Sequence, residues 1–232
     1  MIYQNDRKYL TKSKLQNMII RHEAFDNISI INPDFLNQFY KVRTYNELIK
    51  LITSMSKEYQ QFDYLDSIKR FHSDFDLMSE TQVKSIAENK FKGDLFEIFA
   101  EGFFHLMGSY PTICVSDYKP IASYDDNGID GYGLGVDGKP LTVQIKFRTN
   151  STYELRRDDI SYFGWLSIHP PFNVEFNSKN FVIFTNCEGV HYSTKETYFN
   201  KLRVINGKII KGTIDNNASF WNNFSELIEN SL

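Results

Sequence analysis

Four side chains suited to a single reaction fall between positions 97 and 146 of the 232-residue chain: Glu97, Asp130, Gln144 and Lys146. Gln144 and Lys146 lie two apart in the alternating run 141–147, and that spacing on a strand sets side chains on one face, about 6.5–7 Å apart. Carboxylate and amide oxygens are hard ligands of the kind Mg²⁺ takes. A cation held there polarises a phosphate and lowers the pKa of a water. A lysine beside it orients that water or neutralises charge developing in the transition state. The set suits metal-assisted phosphodiester hydrolysis. Singly, the residues have plainer readings: Lys146 as a solvated strand lysine, Gln144 as a polar-face residue, Asp130 as a turn residue. Glu97 is harder to dismiss, because Phe96, Phe99, Phe103 and Phe104 surround it and burying an unpaired carboxylate is costly.

The elements that must hold these residues are legible in outline. The first 80 or so residues read as helices. Leu15, Met18 and Ile19 recur at helical spacing among Lys12, Lys14 and Arg21, and Pro33 can open a short helix through Phe35 and Phe39. Thr44 with Glu47, and Ser79 with Gln82, have capping-box spacing. The first box is followed by the apolar stripe Leu48, Leu51, Ile52 and Met55, and the second leads into Phe91 and Leu95. Beyond Gly108 the pattern turns to strands: 112–115, 129–136, and 141–147, where Leu141, Val143, Ile145 and Phe147 face one way and Thr142, Gln144, Lys146 and Arg148 the other. The apolar run 181–184 suits a strand covered on both faces. Residues 204–210 read as a hairpin turning at Asn206-Gly207, and 219–228 as a closing amphipathic helix with Phe220, Trp221, Phe224 and Leu227 inward. The expectation is an α/β core over 86–232, behind a helical region over 1–85 that recognises DNA or a partner.

Gly93-Asp94-Leu95-Phe96-Glu97, then Gly128-Ile129-Asp130-Gly131-Tyr132-Gly133, then Val143-Gln144-Ile145-Lys146, then the strand-like Phe181-Val182-Ile183-Phe184-Thr185-Asn186 resemble, in order and spacing, the PD-(D/E)xK nuclease superfamily. Within it they are most similar to the Mrr-like restriction endonucleases. The resemblance covers about residues 90–190. It implies a restriction-endonuclease-like mixed central sheet flanked by helices. It also implies that Asp130, Glu97 and Gln144 bind the metal and that Lys146 is the catalytic lysine. The common form carries glutamate where this chain has Gln144; Mrr-like members carry glutamine, and the helix glutamate then supplies the second carboxylate.

This reading constrains the hairpin. Directly opposed residues of an antiparallel pair share a face. A two-residue loop at Asp137-Gly138 would oppose Val136 to Lys139, and hence Asp130 to Ile145, turning Asp130 away from Gln144. The site therefore requires a three-residue loop, or a bulge among Gly131, Gly133 and Gly135.

Other motifs weigh less. Gly133 to Lys139 has phosphate-loop spacing, but Pro140 stands where a Ser or Thr would hold Mg²⁺ and a β run follows where a helix should start; it reads as a hairpin turn, so no nucleotide cofactor is expected. His22, His72, His105, His169 and His191 have no metal-ligand spacing, and Cys114 and Cys187 read as structural thiols. For phosphate contacts the candidates are Arg148, Asn150, Arg156 and Arg157, partly cancelled by Asp158 and Asp159, with a second cluster at Lys201, Arg203, Lys208 and Lys211. Tyr162, Trp165 and His169 are of types that stack on bases, although core packing is the better reading of Trp165.

Composition bounds the rest. With 41% hydrophobic, 24% charged and 16% aromatic residues, the chain is neither disordered nor fibrous, and its length fits one large domain or one with an extension. A net charge of −3 shows no global positive field, yet a local basic patch can bind phosphates. Two cysteines, a polar start and no run near the roughly 18 apolar residues of a membrane span suit a cytoplasmic protein with no membrane partner. The expectation is a Mg²⁺-dependent endonuclease acting on double-stranded DNA, with Mn²⁺ substituting. A homodimer is expected because cutting both strands needs two sites. Restriction is the first role, with junction resolution, recombination or repair beside it. The rival is a nuclease fold that no longer cuts and serves as a DNA-binding or assembly module.

Overall fold

The computed structural model describes residues 41–58, 75–121, 128–176, 178–193 and 202–229, with Gln38. The helices read around Leu15 and after Pro33 lie outside the described residues. Helix α1 (Tyr45–Glu58) starts at Thr44, whose Oγ1 accepts the Glu47 N–H at 3.2 Å. The Glu47 carboxylate reaches back one residue further than the box requires, to the Arg43 N–H at 2.8 Å. Helix α2 (Glu80–Met107) opens on a complete capping box: Ser79 Oγ takes the Gln82 N–H, and Gln82 Oε1 takes the Ser79 N–H at 2.8 Å. From Phe91 onward its buried residues lie on every side, which is how a helix inside a core must read. The boundary expected between residues 85 and 86 falls inside α2. Val42, Tyr45, Leu48 and Ile52 share one core with α2.

Strands β1 (Ser116–Pro120), β2 (Gly131–Leu134), β3 (Pro140–Lys146), β5 (Phe181–Thr185) and β7 (Arg203–Ile205) form a mixed sheet in the order β1-β2-β3-β5-β7. The first three are antiparallel neighbours, while β3, β5 and β7 run parallel. A small parallel pair, β4 (Glu154–Leu155) and β6 (Gly189–Val190), stands beside them. Leu141, Val143, Ile145, Val182 and Phe184 face α2. On the other face Phe181 and Ile183 pack with Ile160 and Phe163 of α3 (Arg157–Ile168), so β5 is covered on both sides, as its unbroken apolar run requires. Phe220, Trp221 and Phe224 of α5 (Ala218–Glu229) close the α2 side.

Two expectations are corrected. Residues 112–115 are not a strand: the Tyr110 carbonyl accepts both the Ile113 and Cys114 N–H groups, Cys114 has φ +52°, and the sheet begins at Ser116. Ile113 and Val115 are nonetheless buried, and burial is what their β-rich types reflect. Asn206-Gly207 is not a hairpin turn. The Asn206 side chain accepts the Ile209 N–H at 3.0 Å and caps helix α4 (Gly207–Ile214). Asparagine serves caps and turns alike, and Ile210 with Ile214 supplies the helical burial period.

Candidate active site at the open end of the β2–β3 hairpin

The β2–β3 ladder pairs Leu134 with Pro140, Gly133 with Leu141, Tyr132 with Thr142 and Gly131 with Val143. One rung further back, Gly135 N–H donates to the Lys139 carbonyl at 2.9 Å, so the loop is the three residues Val136-Asp137-Gly138. Gly138 takes φ +70°, a conformation glycine adopts without penalty. The stretch from Gly133 to Lys139 is thus a hairpin. The paired register ends at Gly131 and Val143, and Asp130 and Gln144 are the next residues on their strands. Gln144 shares the parity of Thr142, whose hydroxyl lies 2.7 Å from Ser167 Oγ on α3. Asp130 N–H still donates to Val143 O at 3.0 Å, but the next ladder donor, the Ile145 N–H, goes to the Asp130 carboxylate. The strands part here, and a side chain takes over from the backbone.

Gln144 is 3% exposed. Its Nε2 donates to the Gly128 carbonyl at 3.0 Å, and its Oε1 has no hydrogen-bond partner. A buried acceptor without a donor costs about 1–3 kcal/mol and calls for an explanation; a hard cation is a fitting partner for such an oxygen. Lys146 is half-buried, and its ammonium forms no ion pair with the described residues. Its carbonyl accepts the Thr185 hydroxyl at 2.7 Å, tying the end of β3 to β5.

Glu97 comes from the opposite layer. Beside it on α2, Phe96 packs on Phe147 with centroids 5.4 Å apart, one residue past Lys146. Glu97 and Phe104, seven residues apart, share a side of the helix. Phe104 lies 4.6 Å from Tyr118, whose hydroxyl donates to the Asp130 carbonyl at 3.5 Å. Helix α2 leads into β1 through a turn in which the Val115 N–H donates to the Gly108 carbonyl at 2.8 Å. Asp130, Gln144 and Lys146 come from the hairpin, while Glu97 stands on α2, which packs against the face of β3 opposite to that of Gln144 and Lys146. Among the described residues no three His, Cys, Asp or Glu side chains converge, so the amide oxygen of Gln144 is an essential part of any donor set.

The sequence does not single out Glu101, one turn beyond Glu97. It is 3% exposed, its Oε1 has no hydrogen-bond partner, and burial raises its pKa from 4.5 to about 8. The signal was available in its position between Ala100 and Gly102-Phe103-Phe104, with Ile98 and Phe104 three residues away on either side.

The candidate phosphate contacts divide. Arg156 and Arg157 are exposed at the start of α3. Arg148 is half-exposed, with its guanidinium 2.5 Å from Asp159. Asn150 Oδ1 is engaged by the Thr152 N–H and hydroxyl. Arg203 turns inward: it donates to the Cys114 carbonyl at 3.0 Å, its Nε is buried without a partner, and burial lowers its pKa. Lys201 lies outside the described residues. Trp165, read as a core residue, is 55% exposed.

No family model, curated protein or solved structure matches the chain. Among the described residues no helix is long and apolar enough to cross a membrane.

Proposed function

We propose that the protein is a divalent-metal-dependent endonuclease that hydrolyses DNA phosphodiester bonds on a restriction-endonuclease-like sheet. The observation that carries the reading is the buried Oε1 of Gln144, without a hydrogen-bond partner among the described residues and two residues from Lys146. Asp130, Glu97 and the Gln144 oxygen would hold Mg²⁺, or Mn²⁺ in its place. The bound ion supplies Lewis-acid polarisation of the phosphate and an acidified water.

The chain's own residues do the rest. The Ile145 N–H fixes one oxygen of the Asp130 carboxylate, and the Gly128 carbonyl fixes the Gln144 amide so that its oxygen is the group left open. Lys146 brings a positive charge to where negative charge accumulates on the phosphate oxygens, and it orients the attacking water. Arg156 and Arg157 position the backbone without reading sequence. Cutting both strands requires two such sites, so a homodimer fits. Restriction, recombination, repair and junction resolution would all use this chemistry.

A second reading, a DNA-binding or assembly module that no longer cuts, is favoured by the engagement of Asp130 with the Ile145 amide and by the absence of an acidic trio among the described residues. Incubating supercoiled plasmid with wild type and Lys146→Ala, each in Mg²⁺ and in EDTA, separates the two. Nicking or linearisation by wild type in Mg²⁺ alone supports the nuclease. No cutting together with no Mn²⁺ binding by calorimetry supports the module.

A further inference from the structure

Helix α3 carries Tyr162 and Trp165 three residues apart on one side, and His169 follows as its C-terminal cap. Tyr162 is 65% exposed and Trp165 55% exposed. Single exposed aromatics are ordinary; here the rings are organised. The Trp165 and His169 rings stack with centroids 4.1 Å apart and planes inclined by 30°. The His169 Nδ1 lies 2.6 Å from the Trp165 carbonyl, which fixes the imidazole against the indole. Tyr162 continues the row, 6.0 Å from Trp165.

The row begins beside the candidate active site. A β-carbon built on Gly128 would meet the Gln144 amide nitrogen at 3.8 Å and the Tyr162 β-carbon at 4.0 Å. Gly128 therefore lies between the Gln144 amide and the Tyr162 β-carbon, and the exposed rings of Tyr162 and Trp165 follow along α3. Arg156 and Arg157 stand exposed at the start of the same helix. Planar rings next to phosphate-positioning charges are the arrangement with which proteins hold unpaired bases, because every base presents a π-face.

We propose that Tyr162 and Trp165, backed by His169, form a stacking platform for an unpaired nucleobase of the strand whose phosphate lies at Asp130, Gln144 and Lys146. The platform rests on the nuclease reading and narrows it: the substrate is DNA that is single-stranded, frayed or has a base turned out of the helix next to the scissile bond. A protein partner would fit exposed rings as well, but nothing in such a partner requires them to start at Gln144.

The chain has two tryptophans. Trp221 is 1% exposed with its Nε1–H on the Ile214 carbonyl, so fluorescence quenching by a ligand reports Trp165. The full chain is titrated in EDTA, where cleavage is suppressed, with a short single-stranded oligonucleotide, its duplex, and an abasic strand of equal length. Quenching by the single strand, with little by the abasic strand, is expected. Trp165→Ala should weaken single-strand affinity about tenfold, by anisotropy of a labelled oligonucleotide, with an unchanged melting temperature, and Trp165→Phe should restore most of it. Equal affinity of wild type and Trp165→Ala, equal quenching by the abasic strand, or no binding of any oligonucleotide overturns the platform. Because no step of this titration needs cleavage, such a failure is distinct from failure of the plasmid assay, which bears on the metal site.

Discussion

The Asp130 carboxylate accepts the N–H of Ile145, the neighbour of Gln144 on β3, and three residues, Val136, Asp137 and Gly138, join the two strands. Side-chain faces alternate with a period of two, so loop parity decides whether Asp130 and Gln144 share a face. Deleting Asp137 should leave a hairpin and break the site. Mn²⁺ affinity by calorimetry should fall at least about tenfold, with circular dichroism still reporting a folded α/β protein. Retained affinity would show that Asp130 and Gln144 do not act together.

Gln144 sets site against stability. Gln144→Met keeps the shape and removes the buried, unsatisfied oxygen, so urea unfolding should show a gain of about 1 kcal/mol, reduced by the donor lost from the Gly128 carbonyl. The same variant should lose Mn²⁺ binding and plasmid cleavage. Gln144→Glu should bind the cation more tightly at neutral pH, since it adds the missing charge.

Removing the ammonium should act on chemistry rather than on binding. Lys146→Ala is expected to lower the plasmid-cleavage rate by about 10²–10³ while leaving Mn²⁺ affinity within a few-fold and unfolding within about 1 kcal/mol. An unchanged rate would remove Lys146 from the mechanism.

Glu101 makes stability depend on pH in an unusual direction. Burial holds its proton up to about pH 8, against an ordinary value of 4.5. Between these values the unfolded chain has lost the proton and the folded chain keeps it, so the folded state binds more protons and stability falls as pH rises. The contribution is complete below 4.5 and gone above about 8, and the gap is worth on the order of 5 kcal/mol. Melting curves of wild type should drop across this window, whereas Glu101→Gln should flatten the slope and exceed wild type at pH 8.

Two glycines give a paired test of packing. A β-carbon on Gly131 would fall 2.4 Å from the Tyr118 ring, while one on Gly93 meets nothing within 4 Å. Gly131→Ala should destabilise by about 1–3 kcal/mol, and would loosen the tyrosine that reaches the Asp130 carbonyl. Gly93→Ala, within α2, should stabilise by about 0.5–1 kcal/mol.

What the sequence carries is local and periodic. The Ser79–Gln82 box, the alternation of β3 and the doubly covered β5 follow from spacing alone, and requiring Asp130 and Gln144 on one face called for a three-residue loop or a bulge, of which the hairpin has the loop. What it withholds depends on partners far along the chain. Arg203 reads as a surface cation until β7 is placed against the turn carrying Cys114. Trp165 reads as core because nothing in its neighbours says that α3 shows that side to solvent. Asn206-Gly207 satisfies the rules of a hairpin and of a cap equally, and only the parallel pairing of β7 with β5 decides.

Helix α5 has one more consequence, for the order of events during synthesis. Phe220, Trp221 and Phe224 fill the core that Phe99 and Phe103 of α2 began more than a hundred residues earlier, and Asp215 holds the first N–H of α1. A chain still on the ribosome therefore presents the aromatic side of α2 without its α5 partners until Ala218–Glu229 emerges. A product broken off before Ala218 lacks Phe220, Trp221 and Phe224 and leaves that side of α2 open to chaperones and proteases.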